Sequence, residues 1–343
     1  MKVLTYTLSS LALAIGLAAC GSSSVDISTG GDDDTAQFSL SISDAAVEGA
    51  TEVNIFATQV TLRSAGGEDT VFATLDENDQ PTKINLLDFQ GSQAYQLISN
   101  EDVDLGNYEW LRIDVVNGDE NDLTNTSHVV FPTETRPLVV ERKGNDGVGE
   151  IQLDGFNLNQ GNNEFVAEFD LKRSLVDPKN PNDDSIKLKP RGVRLQNLTD
   201  AANLMVTVDS ALIGTCESDF AASASELDSS FGHSVYVYTS GTTAENALDI
   251  NADDDSVSMS PVATANLTMD DVSGDYMAEI GFLGEGNYAL AYTCLSHLDD
   301  AETIDDEVVV YAFKTSIDVT GDASTSVISD DLVFVAPVVE AAE

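Results

Sequence analysis

The chain has 343 residues, 60 of them acidic and 15 basic, for a formal net charge of −45, and 42% of its residues are hydrophobic. That hydrophobic share excludes a disordered chain, and the length accommodates two domains of ordinary size. The charge excludes nucleic acid as a partner, because phosphate contacts need clustered cations, and it disfavours broad contact with anionic lipid.

Residues 1–19 read as a secretory signal peptide. Lys2 supplies the positive start, Leu4 to Leu17 form an uncharged and mostly apolar run, and small residues precede Cys20. The run is too short for a transmembrane helix, which needs about 20 apolar residues. Leu17-Ala18-Ala19-Cys20 resembles the bacterial lipobox. The resemblance implies a lipid on Cys20, a mature chain beginning there, and a membrane partner reached through that lipid. Gly21 follows the cysteine, where an aspartate would favour inner-membrane retention, so the outer membrane is the expected location in the cell envelope. Residues 20–36 contain Gly-Ser-Ser-Ser and Asp32-Asp33-Asp34 and read as a flexible tether.

Period-two alternation then takes over, as in β-strands buried on one face. Phe38, Leu40 and Ile42 alternate with polar neighbours, as do Leu111, Ile113 and Val115, and Phe165, Ala167, Phe169 and Leu171 share a face opposite Glu168 and Asp170. Turn clusters separate these runs, among them Ser64-Ala65-Gly66-Gly67 and Asn180-Pro181-Asn182-Asp183-Asp184. Beyond Leu195 the composition shifts. Lys314 is the only basic residue there, against 28 acidic ones, whereas seven of the fifteen basic residues crowd between Lys172 and Arg194. New alternation starts at Leu204, Val206 and Val208, and Tyr288, Leu290, Tyr292 and Cys294 share a later strand face. The expected fold is all-β: a β-sandwich over 37–197, a linker over 198–203, a second β-sandwich over 204–337 and a tail over 338–343. No long helical periodicity is visible; short helical turns fit near Leu86–Phe89 and Ala221–Leu227. Leu105-Gly106-Asn107-Tyr108 and Gly286-Asn287-Tyr288 lead into strands in the same way, a hint that the two units are related.

With Cys20 lipidated, Cys216 and Cys294 remain as a pair for a disulfide in an oxidising compartment, closing a loop of 79 residues counted inclusively. Chain entropy assigns such a loop on the order of 4–5 kcal/mol. A metal or catalytic thiol is the competing use, but no histidine motif stands nearby.

The first folded unit resembles the family catalogued as domain of unknown function 4382, from about Phe38 to Asn197. The carrying segments are Phe38 to Ala46, Val53 to Leu62, Ile84 to Gly91, Leu105 to Val115, Phe169 to Leu175 and Leu188-Lys189-Pro190. Ala46 stands where many members have proline. The family occurs in bacterial lipoproteins and implies no particular activity. The second unit resembles transthyretin-like or carboxypeptidase-regulatory-like sandwiches (immunoglobulin-like in the broad sense) in pattern only.

No His-Glu-x-x-His helix, Gly-x-Ser-x-Gly elbow or phosphate-cradling loop occurs, and His128, His233 and His297 are scattered. The expectation is therefore no enzyme and no cofactor. Calcium is the candidate cation, at Asp119 and Asp122, Asp183 and Asp184, or Asp253, Asp254 and Asp255; solvated acidic loops are the plainer reading. Lys172, Arg173, Lys187, Lys189 and Arg191 are candidates for contact with an anionic glycan or an envelope protein, or they offset facing carboxylates. The function expected is a noncatalytic binding or structural module of the envelope. The rival is a hydrolase acting on envelope or environmental polymers, which a pocket of converging Asp, Glu or His side chains would favour.

Overall fold

The alternating segments form strands, and the strands stack into sandwiches. The computed structural model describes residues 35–45, 47, 49–144, 147–224, 230–251 and 259–336; Cys20, the tether up to residue 34 and Asp253 to Asp255 lie outside them. In the first sandwich one sheet runs Val193–Asn197, Gly161–Asp170, Thr35–Ala45, Tyr95–Asp104. Its central pair is parallel, in register from Ala36 opposite Gly161 to Ala45 opposite Asp170. The facing sheet is built on the long strand Glu52–Ser64, which pairs antiparallel with Gly106–Val115 and with three shorter strands. Phe38, Leu40, Ile42, Leu111 and Ile113 are fully buried between the sheets. The Phe38 ring lies 5.9 Å from Phe165 and 6.2 Å from both Phe72 and Phe156, so one aromatic cluster ties the layers.

The sheets change hands at Leu198–Asp200, a single 3-10 turn. The next strand, Ala201–Val208, starts three residues before the expected Leu204, because Ala201 and Ala202 already pair with Gly284 and Leu283. This strand and Tyr276–Gly284 are central to one sheet of the second sandwich; Ser234–Thr239 and Gly286–Thr293 are central to the other. Leu204, Val206, Val208, Val235, Val237, Leu290 and Tyr292 form its core. The described residues, from 35 to 336, make up one compact unit that contains both cores.

One local feature departs from the sequence reading: Cys216, past the strand-like run that ends at Val208 and beside Gly214, is expected on a loop that crosses the sandwich, and it lies instead on the helix Ser210–Asp219. Asp209 caps that helix, its carboxylate accepting from Ala211 N at 2.7 Å, and Leu212, Ile213 and Cys216 face the core. Cys216 is bonded there to Cys294, with the Cα atoms 6.2 Å apart. The two Gly-Asn-Tyr segments, which the sequence shows leading into strands in the same way, each join two sheets. Tyr95–Asp104 and Gly106–Val115 belong to opposite sheets, as do Tyr276–Gly284 and Gly286–Thr293. Each segment therefore turns a corner between layers. The Tyr108 hydroxyl donates to Asp104 O at 2.8 Å and the Tyr288 hydroxyl to Gly284 O at 2.9 Å, the same reach of four residues in both sandwiches.

Candidate functional site at the seam between the sandwiches

The strand Gly161–Asp170 is buried on both faces at its end: Glu168 and Asp170 are as enclosed as Phe169. The expected outward face is covered by the second sandwich. Asp170 caps the short helix Leu171–Ser174 and reaches across the seam, one oxygen accepting from Thr264 N and the other from Thr264 Oγ1, both at 2.9 Å. Burial raises its carboxyl above the usual range, while Arg173 and Thr264 hold it down. Asp44 is fully enclosed beside it. Burial pushes the Asp44 carboxyl well above its ordinary value, and the neighbouring Asp170 charge pushes the same way. Close by, a Cβ on Gly281 would run into the carbonyl oxygen of Gly91, so glycine sets how closely the two layers meet.

The basic stretch is spent largely on this seam. Lys172 is only 6% exposed, and its Nζ lies 3.1 Å from Ser296 O and 3.5 Å from Ser234 Oγ. Arg173 donates to Val262 O at 2.9 Å. Lys189 pairs with Glu302, and Lys179 lies 3.7 Å from the same carboxylate. Arg194 pairs with Glu168. Lys172 and Arg173 thus reach carbonyl and hydroxyl oxygens of the second sandwich. Lys187, on the strand Ile186–Leu188, contacts Asp183 at 2.8 Å. Arg191 is exposed, at the mouth of a cleft of about 240 Å³ with Glu141 and Arg142.

Two larger clefts follow the seam. One, of about 360 Å³, is lined mostly by charged residues, with Glu141, Asp177, Lys179, Lys187, Lys189 and Glu302 on its walls beside Val176 and Pro178. The other, of about 460 Å³, combines Phe131, Leu175 and Ile186 with Lys172, His297 and Asp299. Asp299 also belongs to a group that sequence spacing did not single out: one carboxylate oxygen each from Asp249, Asp299 and Asp305 lie within 4.8 Å of one another. Burial raises Asp299 to about 7, against the hydrogen bond from Tyr236 and the charge of Lys172, and raises Asp249 to about 6.

The acidic loops named as calcium candidates, with solvation as the plainer reading, look different. Asp119 and Asp122 are exposed and accept from Asn121 and Asn125. Asp183 is held well below the usual carboxylate range, first by Lys187 and then by Ser185. Asp184 is exposed at the end of that turn.

The three histidines are occupied at both ring nitrogens. His128 lies 3.1 Å from Asn54 Nδ2 and 2.8 Å from Thr126 O. His233 lies between the Tyr292 hydroxyl, at 3.0 Å, and Glu217, at 3.2 Å. His297 accepts from Gly232 N at Nδ1, at 3.0 Å, and its Nε2 lies 2.9 Å from Ser223 O.

Among known proteins, the family described as "Domain of unknown function (DUF4382)" matches residues 35–190. No curated protein matches the chain. A chain of known structure from Bacteroides ovatus, provisionally described as an adhesin, shares 8% identity over 95% of this chain and 99% of its own, with a TM-score of 0.18; likeness at that level carries no argument.

Proposed function

Residues 35–190 are a domain of the DUF4382 family of unknown function, and from that premise we propose that the protein is a noncatalytic binding or structural module of the bacterial envelope, anchored by lipid on Cys20 and displayed from the outer membrane. The observation that carries the noncatalytic reading is the state of the histidines. A general base needs a ring nitrogen facing a substrate or a nucleophile, and all six ring nitrogens here are engaged within the fold. Lipid anchoring rests on the signal layout ending at Cys20; among the described residues no helix is long and apolar enough to cross a membrane.

The converging carboxylates do not favour the hydrolase. Their oxygens lie within 4.8 Å of one another, and Asp249 is 4% exposed. Glycoside hydrolysis needs room for a sugar between its two carboxyl groups, and Asp249 is enclosed. The seam clefts and the exposed loops offer a binding surface instead. The purified chain, incubated with envelope polysaccharide, should retain the polymer without shortening it. Release of soluble fragments, abolished in Asp299→Asn, would establish the hydrolase. Acylated Cys20 at the mature N-terminus, read by mass spectrometry, tests the anchor.

A further inference from the structure

Asp249 and Asp299 each have one oxygen held by the protein and one left over. Asp305 N donates to Oδ2 of Asp249, and the Tyr236 hydroxyl donates to Oδ2 of Asp299. Oδ1 of each is buried and makes no hydrogen bond among the described residues. Asp249 is more than nine-tenths buried. A buried acceptor without a donor is costly, about 1–3 kcal/mol and more for a charged group. Two such oxygens beside a third carboxylate add like-charge repulsion. Asp305 is oriented from outside, by Asp300 N at 2.8 Å and Thr303 Oγ1 at 3.1 Å. Lys172 contributes one positive charge to Asp299, fewer than three carboxylates require.

We propose that Asp249, Asp299 and Asp305 bind a calcium ion at the edge of the seam. The donors are all hard carboxylate oxygens, and none is a thiolate or imidazole, which fits calcium and not zinc. Calcium holds its ligands at about 2.3–2.6 Å, so two ligands on one ion stand at most roughly 5 Å apart; the observed spread of 4.8 Å is within that span. Hydrogen bonds from Tyr236, Asp305 N, Asp300 N and Thr303 hold the three carboxylates in place, as outer partners do in metal sites. The site joins the segment around Asp249 and Ile250 to the segment from Asp299 to Asp305. Ile250 and Ala301 pack there on Val176 of the first sandwich. Calcium would thus clamp two loops of the second sandwich against the first, next to the Lys189–Glu302 pair.

Terbium, a luminescent stand-in for calcium, tests this in the full chain. Tyr236 contacts Asp299, so terbium in the site should emit when tyrosine is excited. The emission should saturate and be displaced by calcium. Asp249→Asn and Asp305→Asn should weaken it at least tenfold, and the Asp119→Asn/Asp122→Asn variant should leave it unchanged. Calcium should also raise the melting temperature of the unaltered chain beyond the effect of sodium chloride at equal ionic strength, a reading that does not depend on any variant folding. Absence of saturable emission, equal loss in the Asp119/Asp122 variant, or a melting shift matched by sodium chloride would overturn the site. Polymer retention is a separate readout, so failure here and failure of the binding-module reading are distinguishable.

Discussion

Asp44 is the residue whose burial has the clearest consequence. Its carboxyl is enclosed near Asp170, and its folded value lies well above the 3.8 of the unfolded chain. Below 3.8 both states hold the proton and the enclosed acid costs little. As pH rises past that value the unfolded chain ionises first, so folding loses stability until the folded value is passed. Asp44→Asn removes this loss. Melting temperatures of the two chains should therefore diverge from acid to neutral pH, with the variant gaining; parallel profiles would show that Asp44 ionises freely in the fold. Tyr108 and Tyr288 act at the same scale. Each hydroxyl donates to a carbonyl four residues back, where the chain crosses between layers. Replacement by phenylalanine leaves the ring and removes the donor, at a cost of about 1 kcal/mol each. Urea denaturation should show comparable losses for the two variants, since the geometry is shared; a loss confined to one would mean that the repeated segment is not a repeated device.

At the scale of elements, alternation located the strands well, because Phe38, Leu40, Ile42 and Leu204, Val206, Val208 each have one face in a core and that contrast is local. The helix Ser210–Asp219 escaped because Gly214 and Thr215 interrupt it and only Leu212, Ile213 and Cys216 are apolar contacts. Asp209 before Ser210-Ala211-Leu212 was the available signal for its start. The Asp249, Asp299 and Asp305 group escaped for another reason: 50 residues separate Asp249 from Asp299, and only the fold brings them together. The helix explains what the disulfide does. It fastens an element with few core contacts to the residue after the strand Gly286–Thr293. Cys294→Ser should lower the stability of the second sandwich by about 2–4 kcal/mol. Hydrogen exchange should show the helix amides losing protection first while the strand Thr35–Ala45 keeps its own; uniform loss across both sandwiches would contradict a local fastening.

For the whole molecule, we propose two folding units, 37–197 and 204–337, coupled through the seam. From Leu195 onward 28 acidic residues face one lysine, so that half repels itself and gains from any cation reaching into it. The first half supplies several: Lys172 at Ser296 O, Arg173 at Val262 O and Lys189 at Glu302. These contacts lie in or beside buried surface, where salt screens them less than it screens the exposed acidic loops. Added sodium chloride should therefore stabilise the unaltered chain, because it relieves surface repulsion more than it weakens the seam. Arg173→Ala with Lys189→Ala removes two of the pins. The unaltered chain should melt in one calorimetric transition. The double variant should melt in two, the second unit first, with faster proteolytic cutting at Leu198–Asp200 than in the unaltered chain. The reason is topological: that turn is the only covalent link between the sheets of the two sandwiches, and with the pins gone little else obliges them to unfold together. Two transitions in the unaltered chain, unchanged in the variant, would show that the seam contacts do not couple the units.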